Sequence, residues 1–210
     1  MGKKIFKNKI NNNFSKKINR FEKARRREIL KWITGNKIID MGSIGNGQYK
    51  PNLHQFLKKS NKTVVGIDKT KNINVDKVID LNKKHYQIKS ESFDTIIAGE
   101  IIEHLNYPMI FLEECKRILK SNGRLIITTP NMTSISYILG IVKNINKKDY
   151  HCHAWSMDLF DSLVFRAGFK VIYKKLFNSL ATWDYVLDLL TKIFPVFKTE
   201  MFYVLEKNSG

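Results

Sequence analysis

Lys37-Ile38-Ile39-Asp40-Met41-Gly42-Ser43-Ile44-Gly45-Asn46-Gly47 is a short apolar run, an acid, and three glycines spaced at three and two residues. The apolar run has the length and composition of a buried parallel strand. The glycines predict a tight turn where a ligand can touch backbone before a helix begins. Alone, such a pattern is common. Its meaning comes from the segments that follow it.

Thr63-Val64-Val65-Gly66-Ile67-Asp68 is a second β-branched run ending in an acid. In a doubly wound sheet an acid at this place accepts hydrogen bonds from ribose hydroxyls. Val78-Ile79-Asp80-Leu81-Asn82 is a third short strand with its own acid. Ser92-Phe93-Asp94-Thr95-Ile96-Ile97-Ala98-Gly99-Glu100 leads into Ile101-Ile102-Glu103-His104-Leu105. Residues 106–120 predict an amphipathic helix with Cys115 on its apolar stripe as a packing residue. An Asn122-Gly123 turn should end that helix, and Arg124 to Thr129 should form a fifth strand stopped by Pro130. Strand and helix signals alternate as a parallel α/β sheet requires.

These segments, in this order, resemble the class I S-adenosylmethionine-dependent methyltransferases, in the broad small-molecule branch where strand four ends near an E-x-x-E-H-L string. The resemblance covers about residues 25–175. It implies a doubly wound, Rossmann-like sheet of seven strands, with helices on both faces and the seventh strand antiparallel between five and six. It also implies S-adenosylmethionine as cofactor. Asp40, Gly42, Ser43, Gly45 and Gly47 would meet the methionine tail, Asp40 anchoring its ammonium group. Asp68 would hold the ribose, Asp80 and Leu81 would bracket the adenine, and Gly99 and Glu100 would adjoin the tail and the reacting methyl. A nicotinamide site fits less well, because the first loop lacks the G-x-G-x-x-G spacing.

Three readings compete for Glu103 and His104. Glu103 can be a helix-start acid beside a packing histidine. His104, with Glu103, can act as a general base on an acceptor hydroxyl. Or Glu100, Glu103, His104 and a distant His151 can ligate a divalent metal, as a similar segment does in small-RNA 2′-O-methyltransferases. His151 and His153 read first as lid-positioning residues, and His54 and His85 as surface residues. No Asn/Asp-Pro-Pro-Tyr/Phe motif of amino-group methylation is present. Thr129-Pro130-Asn131 resembles the O-methylating branch instead. The expected activity is O-methylation of a small-molecule, glycan or lipid-like acceptor. Metal-assisted RNA 2′-O-methylation is the first alternative. A non-catalytic module that binds nucleic acid or membrane is the second.

The formal net charge is +18, and residues 1–37 hold 13 Lys/Arg against two Asp/Glu. Such a basic start attracts anionic lipid or RNA, although a Lys/Asn/Ile-rich composition throughout is the plainer account. The Arg25-Arg26-Arg27 cluster suits surface contact with an anion. Residues 1–13 are expected to be a flexible basic arm, and 14–210 one domain with a lid insertion at about 132–150. A helix is expected over 14–33, closed by Gly35-Asn36, and others over 156–167, capped by Ser156, and 180–194. Strands are expected over 169–177 and 201–206. Two cysteines make no disulfide framework. No apolar run reaches the roughly eighteen residues of a membrane span. The expected setting is cytoplasmic, with peripheral membrane attachment as a further option.

Overall fold

Ile38 and Ile39 face opposite sides of the first strand, as successive residues of a strand must, and both are fully buried. A strand buried on both faces needs a continuous apolar run and a layer of helices on each side. The computed structural model has this arrangement. It describes residues 22–44, 53–59, 62–142, 151–178 and 191–208. Helix α1 occupies residues 22–32 of the described chain. Strand β1 (Lys37–Met41), helix α2 (Leu53–Lys58), and strands β2 (Thr63–Asp68), β3 (Lys77–Val78) and β4 (Phe93–Gly99) follow. Then come α3 (Pro108–Ile118), β5 (Leu119–Pro130), α4 (Ile135–Val142), α5 (Met157–Arg166), β6 (Phe169–Phe177) and β7 (Glu200–Lys207).

The sheet order is β3-β2-β1-β4-β5-β7-β6. Strands β1 to β5 pair in parallel, and β7 runs antiparallel to both β5 and β6. The expected doubly wound sheet with an antiparallel seventh strand is therefore present. One face packs Ile39, Ile96, Ala98 and Ile127 against α3 and α5 through Phe111, Leu112, Cys115 and Phe160. The other packs Ile38, Ile97, Ile126 and Phe202 against Ile29 of α1 and Leu57 of α2. Cys115 is a core residue, as expected.

Some boundaries differ from the sequence reading. Helix α3 begins at Pro108, whose fixed φ suits a first helical position. It ends without a turn: Leu119 is already extended, at φ −73° and ψ 138°, and β5 starts there. Asn122-Gly123 lies inside that strand, beside an irregularity in the β4–β5 register. Strand β3 spans only two residues, so Asp80 and Leu81 belong to the loop beyond it. Ser156 caps α5 as expected, accepting from the Leu159 amide at 3.3 Å. The arm 1–13, residues 143–150 of the expected lid, and nearly all of the 180–194 helix lie outside the described residues.

Gly35 fixes where α1 sits. Its φ of +60° turns the chain back on itself. The Asp94 carboxylate then accepts from the amides of Asn36 and Lys37 at 3.0 and 2.9 Å. Thr95 Oγ1 ties down Thr34, accepting from its amide and donating to its carbonyl. Anchored there, α1 brings its earlier residues to the carboxyl ends of β4 and β5, where Arg25 meets Thr128.

Candidate active site at the carboxyl edge

The strand order reverses between β1 and β4, and in open α/β sheets the crevice at such a switch point takes the ligand. Two glycines serve the chain there. Gly42 adopts φ +78°, and a side chain on it would collide with Ile101. Gly99 faces the Arg25 guanidinium, 2.9 Å from where a Cβ would stand. Ser43 is buried and donates to the Asn74 carbonyl at 2.8 Å. Gly45 and Gly47 lie outside the described residues.

Asp40 is buried at the end of β1. Burial raises its pKa, while His54 and Arg25 pull it down and Asp68 pushes it up; it stays above the usual aspartate value. Half-buried Asp68 ends β2 with its Oδ1 accepting from the Thr70 amide at 3.2 Å. Asp80 is half-buried and Leu81 buried. Asp80 lines a cavity of about 540 Å³ beside Ile79 and Tyr86, and Leu81 is not part of its lining.

Arg25 belongs to this site, which the sequence reading missed by placing the arginine cluster on the surface. Arg26 is half-buried and Arg27 exposed, but Arg25 is only 9% exposed. It pairs with Glu22 at 2.7 Å and donates to Thr128 Oγ1 at 3.3 Å. Its burial would lower its pKa, yet Glu22 and Glu100 outweigh that and raise it. The usable signal was its phase: Arg25 stands one helical turn before Ile29, a core residue.

His54 is a second correction. It is 1% exposed, its Nδ1 lies 3.3 Å from Asp40 and its Nε2 3.9 Å from Asp76. His85 is exposed, as expected.

The carboxyl edge continues beyond β4. Glu100 holds φ +56°, a left-handed conformation costly for a non-glycine residue. A 3-10 turn, Ile102–His104, then points Glu103 inward. Glu103 is 1% exposed. Its Oε2 accepts from Thr129 Oγ1 at 3.0 Å, whereas Oε1 is buried without a hydrogen-bond partner. Glu100 Oε1 is likewise buried and unpartnered. Burial first, and the Glu100 charge second, hold the Glu103 carboxyl well above the usual glutamate range.

The chain beyond α4 returns to this edge. Cys152 and His153 donate their amides to the Glu103 carbonyl at 2.8 and 3.1 Å. His153 stacks on Trp155, with ring centroids 5.2 Å apart. His151 meets His104 edge-on at 4.7 Å. Candidate ligand atoms of Glu103, His104 and His151 all lie within 4.8 Å of one another. Of the four residues considered for a metal, the structure thus gathers three, and Glu100 stands outside the cluster. No helix among the described residues is long and apolar enough to cross a membrane.

The family described as a methyltransferase domain matches residues 39–127. Solved structures share the fold at low identity. The S-adenosylmethionine-dependent methyltransferase of Archaeoglobus fulgidus superposes with a TM-score of 0.60 at 15% identity, over 88% of this chain and 92% of that one. Its Mesorhizobium loti counterpart gives 0.60 at 13%, over 88% and 96%.

Residues 39–127 match a methyltransferase domain, and the fold is that of the S-adenosylmethionine-dependent methyltransferases.

Among curated relatives, the mitochondrial ubiquinone biosynthesis O-methyltransferase of Rattus norvegicus is 36% identical over 127 residues, 52% of this chain and 35% of that protein. The ubiquinone biosynthesis O-methyltransferase of Pelagibacter ubique is 34% identical over 117 residues, 50% of this chain and 47% of that protein. The chain therefore spans about a third to a half of the length of these two relatives. The residues at the carboxyl edge suit S-adenosylmethionine. The carboxyl edge offers glycine backbone at Gly42 and Gly99, the buried carboxyl oxygens of Glu100 and Glu103, and the buried Arg25 guanidinium.

Proposed function

We propose that this protein transfers a methyl group from S-adenosylmethionine to a hydroxyl of an apolar small-molecule or lipid-like acceptor, of the quinone-precursor kind that the relatives' names suggest. The observation that carries the reading is the unpartnered Glu103 Oε1 beside His104 at the open edge of the sheet. S-adenosylmethionine supplies an electrophilic methyl. The chain's own residues then have to align the acceptor, exclude water and take one proton.

Asp40 and the backbone of Gly42, Ser43, Gly45 and Gly47 hold the amino-acid tail, with Arg25 as the partner of its carboxylate. Asp68 accepts from the ribose hydroxyls, and Asp80 and Leu81 flank the adenine. Gly99 and Glu100 border the tail and the methyl. His104 takes the proton from the acceptor hydroxyl, and Glu103, 3.8 Å from His104 Nε2, stabilises the imidazolium that results. The exposed Tyr137, Ile138, Leu139 and Ile141 of α4 support an apolar acceptor. So do Ile193, Phe194 and Val196, since Asn131 and Thr133, just before α4, both donate to the Val196 carbonyl.

The clustering of Glu103, His104 and His151 favours a second reading, in which these three residues would hold a divalent cation that would lower the pKa of the acceptor hydroxyl, its proton passing to water. The RNA 2′-O-methylation alternative depends on this reading. Transfer of labelled methyl should be measured to a prenylated catechol in detergent and to an RNA oligonucleotide, each with EDTA or added magnesium. Labelled catechol in EDTA supports the general base. Labelled catechol only with magnesium supports the cation. Labelled RNA with unlabelled catechol overturns the acceptor assignment.

A further inference from the structure

One buried titratable side chain, His54, has no part in the chemistry above. His54 follows the glycine loop, in α2, and points under the sheet between two carboxylates. Asp40 lies 3.3 Å from its Nδ1, and Asp76 lies 3.9 Å from its Nε2. Neither ring nitrogen makes an aligned hydrogen bond, although the ring is 1% exposed. A buried polar ring without hydrogen bonds is costly, and its place between two carboxyl groups calls for a reason.

The surroundings are built to admit the ring. A side chain on Gly66 would collide with the Asn74 carbonyl and come within 2.6 Å of His54 Cε1 and 2.8 Å of Ser43 Oγ. Asp76 is fixed independently of the histidine, accepting from the Gly66 amide at 2.7 Å and from Lys58 at 3.2 Å. Lys58 stands one turn beyond His54 on α2, and its charge is spent on Asp76. On its other side Asp40 feels Arg25, which favours its anion, and Asp68, which opposes it. Among the described groups around Asp40, His54 is the one in direct contact that can supply a positive charge.

We infer that His54 is a positioning residue of the cofactor site: its ring, 3.3 Å from Asp40, favours the Asp40 anion and aims it at the ammonium group of the cofactor's methionine tail. The inference rests on the assignment of Asp40 to that ammonium group in the proposed function. It goes beyond that assignment by tying α2, the helix that follows the glycine loop, to the charge of the site. Without the contact of the His54 ring, the desolvated Asp40 takes up a proton at a higher pH, and the attraction for the ammonium group goes with it.

The test is calorimetric titration with S-adenosylhomocysteine from pH 5.5 to 9, on wild type, His54→Gln and His54→Phe, each also combined with Asp40→Asn. Affinity of the His54 variants should fall at the acid end, by about tenfold for each unit by which Asp40 titrates higher, and should approach wild type at the alkaline end. In the Asp40→Asn background, changing His54 should make no further difference. A loss of the same size at every pH, or an equal loss in the Asp40→Asn background, would make His54 a packing residue only. If His54→Phe fails to fold, His54→Gln carries the test alone, and a wild-type pH profile for it overturns the inference. Carbon-13 NMR of the Asp40 carboxyl in the free protein separates this inference from the assignment beneath it. An upward-shifted Asp40 titration in His54→Gln with pH-independent ligand affinity would retain the electrostatic link and remove the ammonium contact. An unshifted titration would remove the link itself.

Discussion

Glu103 and Glu114 are both buried glutamates, eleven residues apart on the connection from β4 through α3, and their surroundings are opposite. Glu114 accepts from the Tyr86 amide at 2.9 Å and from Arg117 through both carboxylate oxygens, at 3.0 and 2.7 Å. Burial would raise its pKa, but these donors outweigh it and hold it below the usual glutamate value. Glu103 has one donor, Thr129, one bare oxygen, and a second carboxylate nearby, and its pKa is driven up. A fold that satisfies one buried acid so fully had the means to satisfy the other. The difference makes Glu114 a strut of the scaffold, whereas Glu103 is the group to which the proposed function gives a chemical part.

The comparison breaks most visibly if the strut is removed. Glu114→Ala should cost about 2–3 kcal/mol of stability in urea unfolding, because Arg117 and the Tyr86 amide lose a charged partner. A change within about 0.5 kcal/mol, the ordinary size for surface substitutions, would deny Glu114 that role. Next in size is the glycine turn. Gly42→Val should lower stability by about 1–3 kcal/mol, through a strained φ and the collision with Ile101, and should abolish cofactor binding. Retained binding would place the cofactor elsewhere.

Acid and alkali should separate the two glutamates. Glu114, depressed in the fold, adds stability that is present above its unfolded value near 4.5 and is lost as pH falls through its lower folded value. Glu103, raised in the fold, adds stability that is complete below 4.5 and is lost as pH rises through its higher folded value. Glu103→Gln should therefore flatten the alkaline decline in unfolding free energy of the cofactor-free protein, by up to about 1.4 kcal/mol per pH unit across that window. An unchanged slope would mean that Glu103 is ionised and compensated after all. The smallest effect expected is that of Cys115→Ala, about 1–2 kcal/mol from a lost packing contact in the core. Cofactor binding should persist, since Cys115 Sγ touches Met41 Sδ on the α3 side of the sheet.

The sheet was legible because its signals are local. Paired isoleucines at 38–39 and 96–97 can only be strands buried on both faces, and the acid and glycine after the first of them mark the carboxyl edge. Asp40, Gly42, Asp68 and Glu103 could be singled out on that basis. Arg25 and His54 could not, since each reaches its partners through tertiary placement. Arg25 depends on the Gly35 turn that folds α1 back along the sheet. His54 depends on Gly66, a strand glycine whose missing side chain makes room for the ring. The end of α3 escaped for a related reason: Asn122-Gly123 has turn chemistry, but pairing of Leu119 with Phe93 extends the strand past it. His151 needed the backbone bonds from Cys152 and His153 to Glu103, which no spacing in the sequence reveals.

The central claim is that the bare carboxylate at Glu103 borders a working S-adenosylmethionine site. It is tested most directly by calorimetric titration of the purified protein with S-adenosylmethionine, in EDTA and then in magnesium, for wild type and Glu103→Gln. The account predicts micromolar binding to the wild type. It predicts that Glu103→Gln, which cannot ionise in response to the sulfonium, weakens binding of the cationic cofactor more than binding of S-adenosylhomocysteine. Absence of binding to the wild type in both media would contradict it.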